Sequence, residues 1–256
     1  QHFDIELNNL VFLAAPSPPL TPSNNRAQTA DAKLTAKEWD WGWQAGFRLK
    51  IIKGLTFGAA YLSNVRHKIS GGEQELKSLA DGNVVVRQGF SGKFTLPATL
   101  RLGLAWQRGP WTIEAGAQWT EWTSYKTLKA VFDNGTSLTS PKNWHNAWLW
   151  RIGSQYRVNK YLDLRAGFLY DETPIPSATL DPLVPSGDRM GYCGGIGLHF
   201  DKLTFDIAYN YIHDEKRHWN NPSGDVKVGP LSITRVTGKF ENAYAHILAM
   251  NVTYRF

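Results

Sequence analysis

Tight joints and long polar connections alternate along this chain of 256 residues. Candidate strands meet at Lys53-Gly54, Arg108-Gly109-Pro110, Asn159-Lys160 and Asp201-Lys202. The connections between those hairpins are long, spanning about 16–38, 67–96, 125–144, 171–188 and 215–243. A soluble sandwich has no reason to gather every long loop at one end. A transmembrane β-barrel does, because short turns face the periplasm, long loops face outward, and strands of about ten residues alternate in polarity.

The last strand shows the alternation most clearly. Leu248, Met250, Val252, Tyr254 and Phe256 fall on one face, and Ala249, Asn251, Thr253 and Arg255 on the other. Successive strand side chains point to opposite faces, so the first set can meet lipid while the second lines an interior. The same dyad runs through 98–107, 162–170 and 203–211, and again through 41–51, 55–65, 111–122, 148–158 and 190–200. A tenth strand is expected at 2–12, where Phe3, Ile5 and Leu7 oppose Asp4, Glu6 and Asn8. A soluble barrel would reverse the polarity. Here the apolar faces end in Trp or Tyr, as at Trp41/Trp43, Tyr61, Trp106, Trp111, Tyr156 and Tyr170, which suits interfacial girdles. The predicted fold is therefore all-β, an antiparallel transmembrane barrel of about ten visible strands in one domain, located in a bacterial outer membrane.

Composition removes the competing classes. No stretch approaches the ~20 consecutive apolar residues of a spanning helix, and mean hydropathy is −0.36. The net charge of +6 comes from basic residues scattered through turns, loops and inward positions rather than gathered in a stripe, so nucleic acid is not an expected partner. One cysteine, Cys193, excludes an intramolecular disulfide framework. No export signal stands at Gln1, so the chain is expected to be mature or incomplete at its N-terminus.

Several phrases add a resemblance. They are Glu38-Trp39-Asp40-Trp41-Gly42-Trp43-Gln44-Ala45-Gly46, Ser63-Asn64-Val65-Arg66-His67-Lys68 and Leu96-Pro97-Ala98-Thr99-Leu100. Further on come Trp119-Thr120-Glu121-Trp122, Asn143-Trp144, and Tyr170-Asp171-Glu172-Thr173-Pro174-Ile175-Pro176 followed by Pro185-Ser186-Gly187-Asp188-Arg189. In this order they resemble the FadL/TodX family of outer-membrane transporters for fatty acids and other hydrophobic molecules. The resemblance covers about residue 39 to the C-terminus and implies a fourteen-stranded barrel holding an N-terminal plug. Nothing in the chain resembles the plug or the first four strands, so an incomplete wall, with a plug or partner chain as its complement, is expected.

Function follows as an expectation of passive uptake of hydrophobic compounds, either long-chain fatty acids or aromatic hydrocarbons. The alternative is a porin-like or structural barrel serving as an envelope scaffold. Apolar residues within polar loops are the candidate ligand contacts, among them Phe12, Leu20, Leu79 and Phe90, because such sites are mainly apolar with a few polar anchors. Trp122 and Trp144 are placed to line an entry groove, and the resemblance suggests a head-group role for Lys142. Arg48, Arg101, Glu114, Arg151, Asp163, Arg165 and Asp206 are expected to form an inward charge network, paired across strands or against a plug. The inward glycines Gly191, Gly195 and Gly197 leave space there. His213, Asp214, Glu215 and His218 match no zinc spacing. No catalytic constellation is selected, and no cofactor or metal is expected.

Overall fold

The computed structural model describes residues 2–12, 29–79, 81–180, 184, 186–220, 227–228, 231–232 and 237–256, with backbone alone described before residue 31 and over 219–237. The chain opens with β1 (His2–Phe12), β2 (Thr29–Trp39), β3 (Gln44–Ile52) and β4 (Leu55–Leu62). Then come β5 (Val65–Ser78), β6 (Val84–Leu96), β7 (Thr99–Arg108) and β8 (Trp111–Thr120). A short hairpin, β9 (Thr127–Phe132) and β10 (Ser137–Pro141), precedes β11 (Ala147–Arg157) and β12 (Leu162–Asp171). β13 (Arg189–Phe200) and β14 (Leu203–Asp214) follow, then the short β15 (Arg217–Asn220), β16 (Lys227–Val228), β17 (Leu231–Ser232) and β18 (Thr237–Phe240), and finally β19 (Tyr244–Tyr254).

Nine strands form one antiparallel wall in the order β19-β14-β13-β12-β11-β8-β7-β4-β3. Turn chemistry sets its register. Gly54 takes φ +84, where a Cβ would sit 2.2 Å from the Gln107 carbonyl oxygen, so only glycine fits that joint. Gly109 (φ +57) and Asp201 (φ 42) turn the next joints in the same left-handed region, which an Asp side chain tolerates. At Asn159 the side-chain oxygen accepts from the amides of Tyr161 (2.8 Å) and Leu162 (3.0 Å). Each turn is also bonded to its neighbour: Gln107 N donates to Gly54 O, Arg157 N to Pro110 O, His199 N to Tyr161 O, and Arg255 N to Lys202 O.

The two faces of the wall separate as the dyads require. One carries cross-strand apolar pairs such as Leu203/Tyr254, Phe205/Val252 and Ile207/Met250. It remains open to its surroundings, with Met250 70% exposed and Val252 60% exposed. Aromatic pairs edge that face: Trp111 and Tyr156 near the tight turns (ring centroids 4.7 Å), and Trp43 and Tyr61 near the long connections (5.2 Å). Large exposed apolar residues on one continuous face cost free energy in water and none in hydrocarbon.

The long connections differ from the expected loops. A second antiparallel sheet of six strands, β1-β2-β5-β6-β9-β10, is built from three of them together with β1. Segments 16–38, 67–96 and 125–144 therefore contain strands, and β5 and β6 continue the β4–β7 hairpin past the wall. The expected strand at 2–12 forms, but pairs with β2 in this second sheet, His2 opposite Trp39. The wall thus holds nine of the ten expected strands. The second sheet is half-buried: Ala36, Ile69 and Phe90 form its core, with Leu34, Phe94, Ala130 and Phe132 packed against them. Along β5, Val65, His67 and Ile69 are buried, while Arg66, Lys68 and Ser70 are exposed. Alternating with lysine and arginine, so few apolar residues give the segment the composition of a loop.

Candidate functional site: the inner face of the wall and its loop end

Strand register puts small residues side by side on the polar face. One row across five strands reads Gly58, Gly103, Gly116, Arg151 and Leu169, with Arg48 opposite Gly58. The next row toward the tight turns reads Thr56, Ala105, Glu114, Gly153, Gly167 and Cys193. A cavity of about 720 Å³ lies against this belt, lined by Arg48, Gly103, Glu114, Gly116, Arg151 and Cys193 among others. Glycine lets long side chains lie flat on the wall. A Cβ at Gly116 would meet Arg151 Nε at 2.7 Å, and one at Gly197 would meet Arg165 Nη2 at 2.8 Å. On β13, Gly197 thus makes room for a neighbouring side chain, whereas Gly195 lies against the Ile207 carbonyl. At Gly191 the occupant is Leu169, 2.7 Å from a built Cβ.

The expected charge network divides in two. Toward the tight turns, Asp163 is 1% exposed and accepts from Arg157 Nε (3.1 Å), Gln155 Nε2 (2.9 Å) and His199 Nε2 (2.9 Å). Arg165 bridges this group to Asp206 (2.6 Å) and also donates to Gln155 (2.8 Å). Each buried carboxylate oxygen is satisfied, which is the condition for keeping a charge out of water. Arg48, Glu114 and Arg151, by contrast, form no ion pair among the described residues, and Arg101 donates to Gln118 (3.0 Å) rather than to an acid. Sequence reasoning missed Gln155, Gln118 and His199. Counting charges alone hides neutral partners. The inward dyad on β11 and β13 was the signal that could have found Gln155 and His199.

At the loop end three aromatic rings meet. Trp144 stands 4.9 Å from both Trp122 and Tyr125, each in edge-on contact. The short 3-10 turn at Trp122–Ser124 brings Trp122 round to this position. Asn143 (φ 47) lets the amides of both Lys142 and Asn143 donate to the Lys126 carbonyl, which fixes Trp144. The indole Nε1–H of Trp144 is buried without an acceptor among the described residues. Lys142, the expected head-group residue, is only 6% exposed, and its carbonyl accepts from Thr179 Oγ1 (2.5 Å).

The described residues of segment 171–188 lie beside this mouth, with the Pro174 carbonyl accepting from His145 N. Asp188 accepts from Tyr170 OH (2.7 Å) and Thr173 N (2.8 Å), Thr173 Oγ1 donates to Ser186 O (2.9 Å), and Gly187 N donates to Asp214 (2.7 Å). Ile175 and Leu180 are buried, and Arg217 donates to the Ile175 carbonyl (2.7 Å). The Asp171…Pro176 and Ser186…Arg189 phrases are thus bonded to each other.

The remaining candidates scatter. Phe90 is buried in the second sheet, 6.2 Å from Phe132, and lines a small cavity of about 80 Å³ with Leu34, Ile69, Phe94, Leu128 and Leu138. Leu79 is 40% exposed at the β5–β6 tip. Phe12 is described by its backbone in β1, and Leu20 lies outside the described residues. Among the described ligand candidates, Trp122, Lys142 and Trp144 come together at one place.

A polar-lined, glycine-rich inner face behind an apolar, aromatic-edged outer face defines the class as an outer-membrane β-barrel. Comparison with known proteins narrows it. The family model described as "Outer membrane protein transport protein (OMPP1/FadL/TodX)" matches residues 1–256, and the chain belongs to that family. A long-chain fatty acid transport protein of Escherichia coli O6:H1 is 25% identical over 225 residues, covering 80% of this chain and 49% of that protein. Outer membrane protein P1 of Haemophilus influenzae is 27% identical over 225 residues, covering 85% and 48%. The chain thus spans about half the length of these relatives. In structure it is similar to a Pseudomonas aeruginosa FadL homologue, with a TM-score of 0.78 at 23% identity over 99% of this chain and 62% of the other. The toluene transporter TodX of Pseudomonas putida gives 0.53 at 20% identity, covering 89% and 53%. At these identities the structural likeness concerns the fold.

Proposed function

We propose that this chain forms the wall and mouth of a passive route for hydrophobic compounds across the outer membrane, with the loop end extracellular. Long-chain fatty acids and aromatic hydrocarbons are the two candidate substrate classes. The observation that carries the reading is the mouth: Trp122 and Tyr125 stand against Trp144, whose buried indole N–H has no acceptor among the described residues. A buried unpaired donor costs about 1–3 kcal/mol. An entering molecule with an apolar body and an oxygen head would remove that cost while burying its chain against Trp122 and Tyr125. This favours a carboxylate such as a fatty acid over a bare hydrocarbon.

Inward of the mouth, the belt of glycines leaves a passage, and Arg48 and Arg151 offer charge to a plug segment or partner chain. The reading is tested by binding and uptake together. Oleate added to the detergent-solubilised protein should quench tryptophan fluorescence saturably, and Trp144→Ala should weaken binding by roughly tenfold, given the area an indole buries. Cells expressing the protein should take up labelled oleate faster than cells expressing that variant. Ohmic ion conductance with no saturable binding of oleate or toluene would instead establish the porin-like alternative.

A further inference from the structure

The second sheet carries a feature that hydrophobic transport does not use. Lys68 on β5 pairs directly with Lys93 on β6, and Lys93 pairs directly with Lys129 on β9. Residues directly opposite on neighbouring strands share a face, so the three ammonium groups stand in one line at strand spacings of about 4.8 Å. All three residues are exposed. Like charges placed directly opposite destabilise a sheet, and none of the three forms an ion pair among the described residues. Glu38, a carboxylate within reach of the Lys68 charge, is engaged by the amide and hydroxyl of Ser70. Arg66 continues the positive face on β5, opposite the hydroxyl of Thr95, and Thr139 stands opposite Lys129 on β10. Around the ladder this face carries cations and hydroxyls, and its acids, Glu73 and Glu75, stand beyond the bulge of β5, where Glu75 is already paired with Arg87 and Lys77. Such a surface is relieved when anions with neighbouring hydroxyl groups lie along it.

Position identifies the source of the anions. β5 and β6 continue the wall hairpin whose last pair is Leu62 with Thr99. Lys68 lies about 20 Å further along the strand than Leu62, at about 3.3 Å of rise per residue. That is beyond the apolar band of the wall and level with the sugar-phosphate head groups of an outer leaflet made of phosphorylated glycolipid. We propose that Lys68, Lys93 and Lys129 form a ladder that binds the phosphorylated head groups of that glycolipid and holds the second sheet against the membrane surface. The inference rests on the loop end being extracellular. Basic clusters at anionic lipid surfaces gain about fivefold in affinity per lysine.

The test uses the full chain in detergent and a phosphorylated glycolipid with no polymer chain. Binding followed by native mass spectrometry should weaken about a hundredfold in the K68Q/K93Q/K129Q variant. The variant K53Q/K160Q/K202Q, which removes three charges at the tight turns, should bind as the parent does. The dephosphorylated glycolipid should bind neither protein, and millimolar inorganic phosphate should not displace the phosphorylated one. In the absence of glycolipid, the ladder variant should melt no lower than the parent, because like charges have been removed. Equal binding by the ladder variant, equal binding of the dephosphorylated lipid, or equal loss in the turn-end variant would overturn the proposal. Displacement by inorganic phosphate would make the ladder a free-anion site and overturn the lipid assignment. The extracellular reading is read separately by labelling Leu79→Cys, in a Cys193→Ser background, with an impermeant maleimide on intact cells. Labelling only after permeabilisation would sink that reading without touching the binding result.

Discussion

At the scale of single residues, the inner face depends on matching each charge to its room and its partner. Asp163 has almost no contact with solvent and takes hydrogen bonds from Arg157, Gln155 and His199. Replacing it with alanine removes the acceptor that these three side chains share. Hydrogen bonds to charged groups are worth about 1.5–3 kcal/mol, and the exposure of Arg157 keeps the total near the lower end. Asp163→Ala should therefore destabilise the barrel by about 2 kcal/mol, seen as a lower urea midpoint at unchanged slope. Asp163→Asn should recover part of that loss by keeping one acceptor oxygen. If Asp163→Ala unfolds at the parent midpoint, the cluster is not structural. The inward placement of Asp163, Arg165 and Asp206 was legible, since alternation alone fixes the face. Their partnerships were not. Gly116 shows why: its meaning comes from Arg151, a cross-strand neighbour that lies over it and is far away in sequence.

At the scale of elements, the tight turns were readable because glycine, proline, asparagine and aspartate each impose local geometry without help from packing. The second sheet was not readable, because its strands gain their stability from each other. β5 and β6 bury one thin apolar stripe and otherwise look like solvated loop. Electrostatics supports their outer half. Hydrogen bonding by Arg87, and then by Lys77, holds the Glu75 carboxyl below the usual carboxylate range. A carboxyl that keeps its charge to lower pH in the folded state contributes its stability fully above the unfolded value of about 4.3. The contribution then fades as pH falls through the lower folded value. Amide protection over 84–88, corrected for intrinsic exchange, should therefore be constant from pH 7 to 5 and fall below about pH 4. Arg87→Gln should move that fall to higher pH. Protection that ignores both pH and the substitution would show that the apolar stripe alone holds the hairpin. Loop 171–188 belongs at this scale too. The physical content of its phrases is Asp188, which accepts from Tyr170 and Thr173, and Gly187, whose amide donates to Asp214 at the end of β14.

At the scale of the whole molecule, strand direction constrains how the wall closes. Nine strands, each antiparallel to the next, leave β3 and β19 at the two edges running the same way. Joined to each other they would make a parallel seam in an otherwise antiparallel sheet. An antiparallel closure instead needs an odd number of further strands between them, whichever polypeptide segment or copy supplies them. Hydrocarbon makes closure compulsory, because every unpaired backbone N–H or C=O in the bilayer core costs several kcal/mol and no open edge persists there. The apolar residues at both edges, Phe47 and Leu49 on β3 and Leu248 and Met250 on β19, show that these strands stand at membrane depth. In lipid-reconstituted native protein, the amides of residues 45–51 and 246–252 should thus exchange as slowly as those of β11 and β12 in the middle of the wall. Fast exchange confined to the two edge strands, with the centre protected, would mean that they line water rather than meet further strands. In that case the wall would act as an open sheet bounding an aqueous groove, and the proposed route for hydrophobic compounds would lose its enclosure.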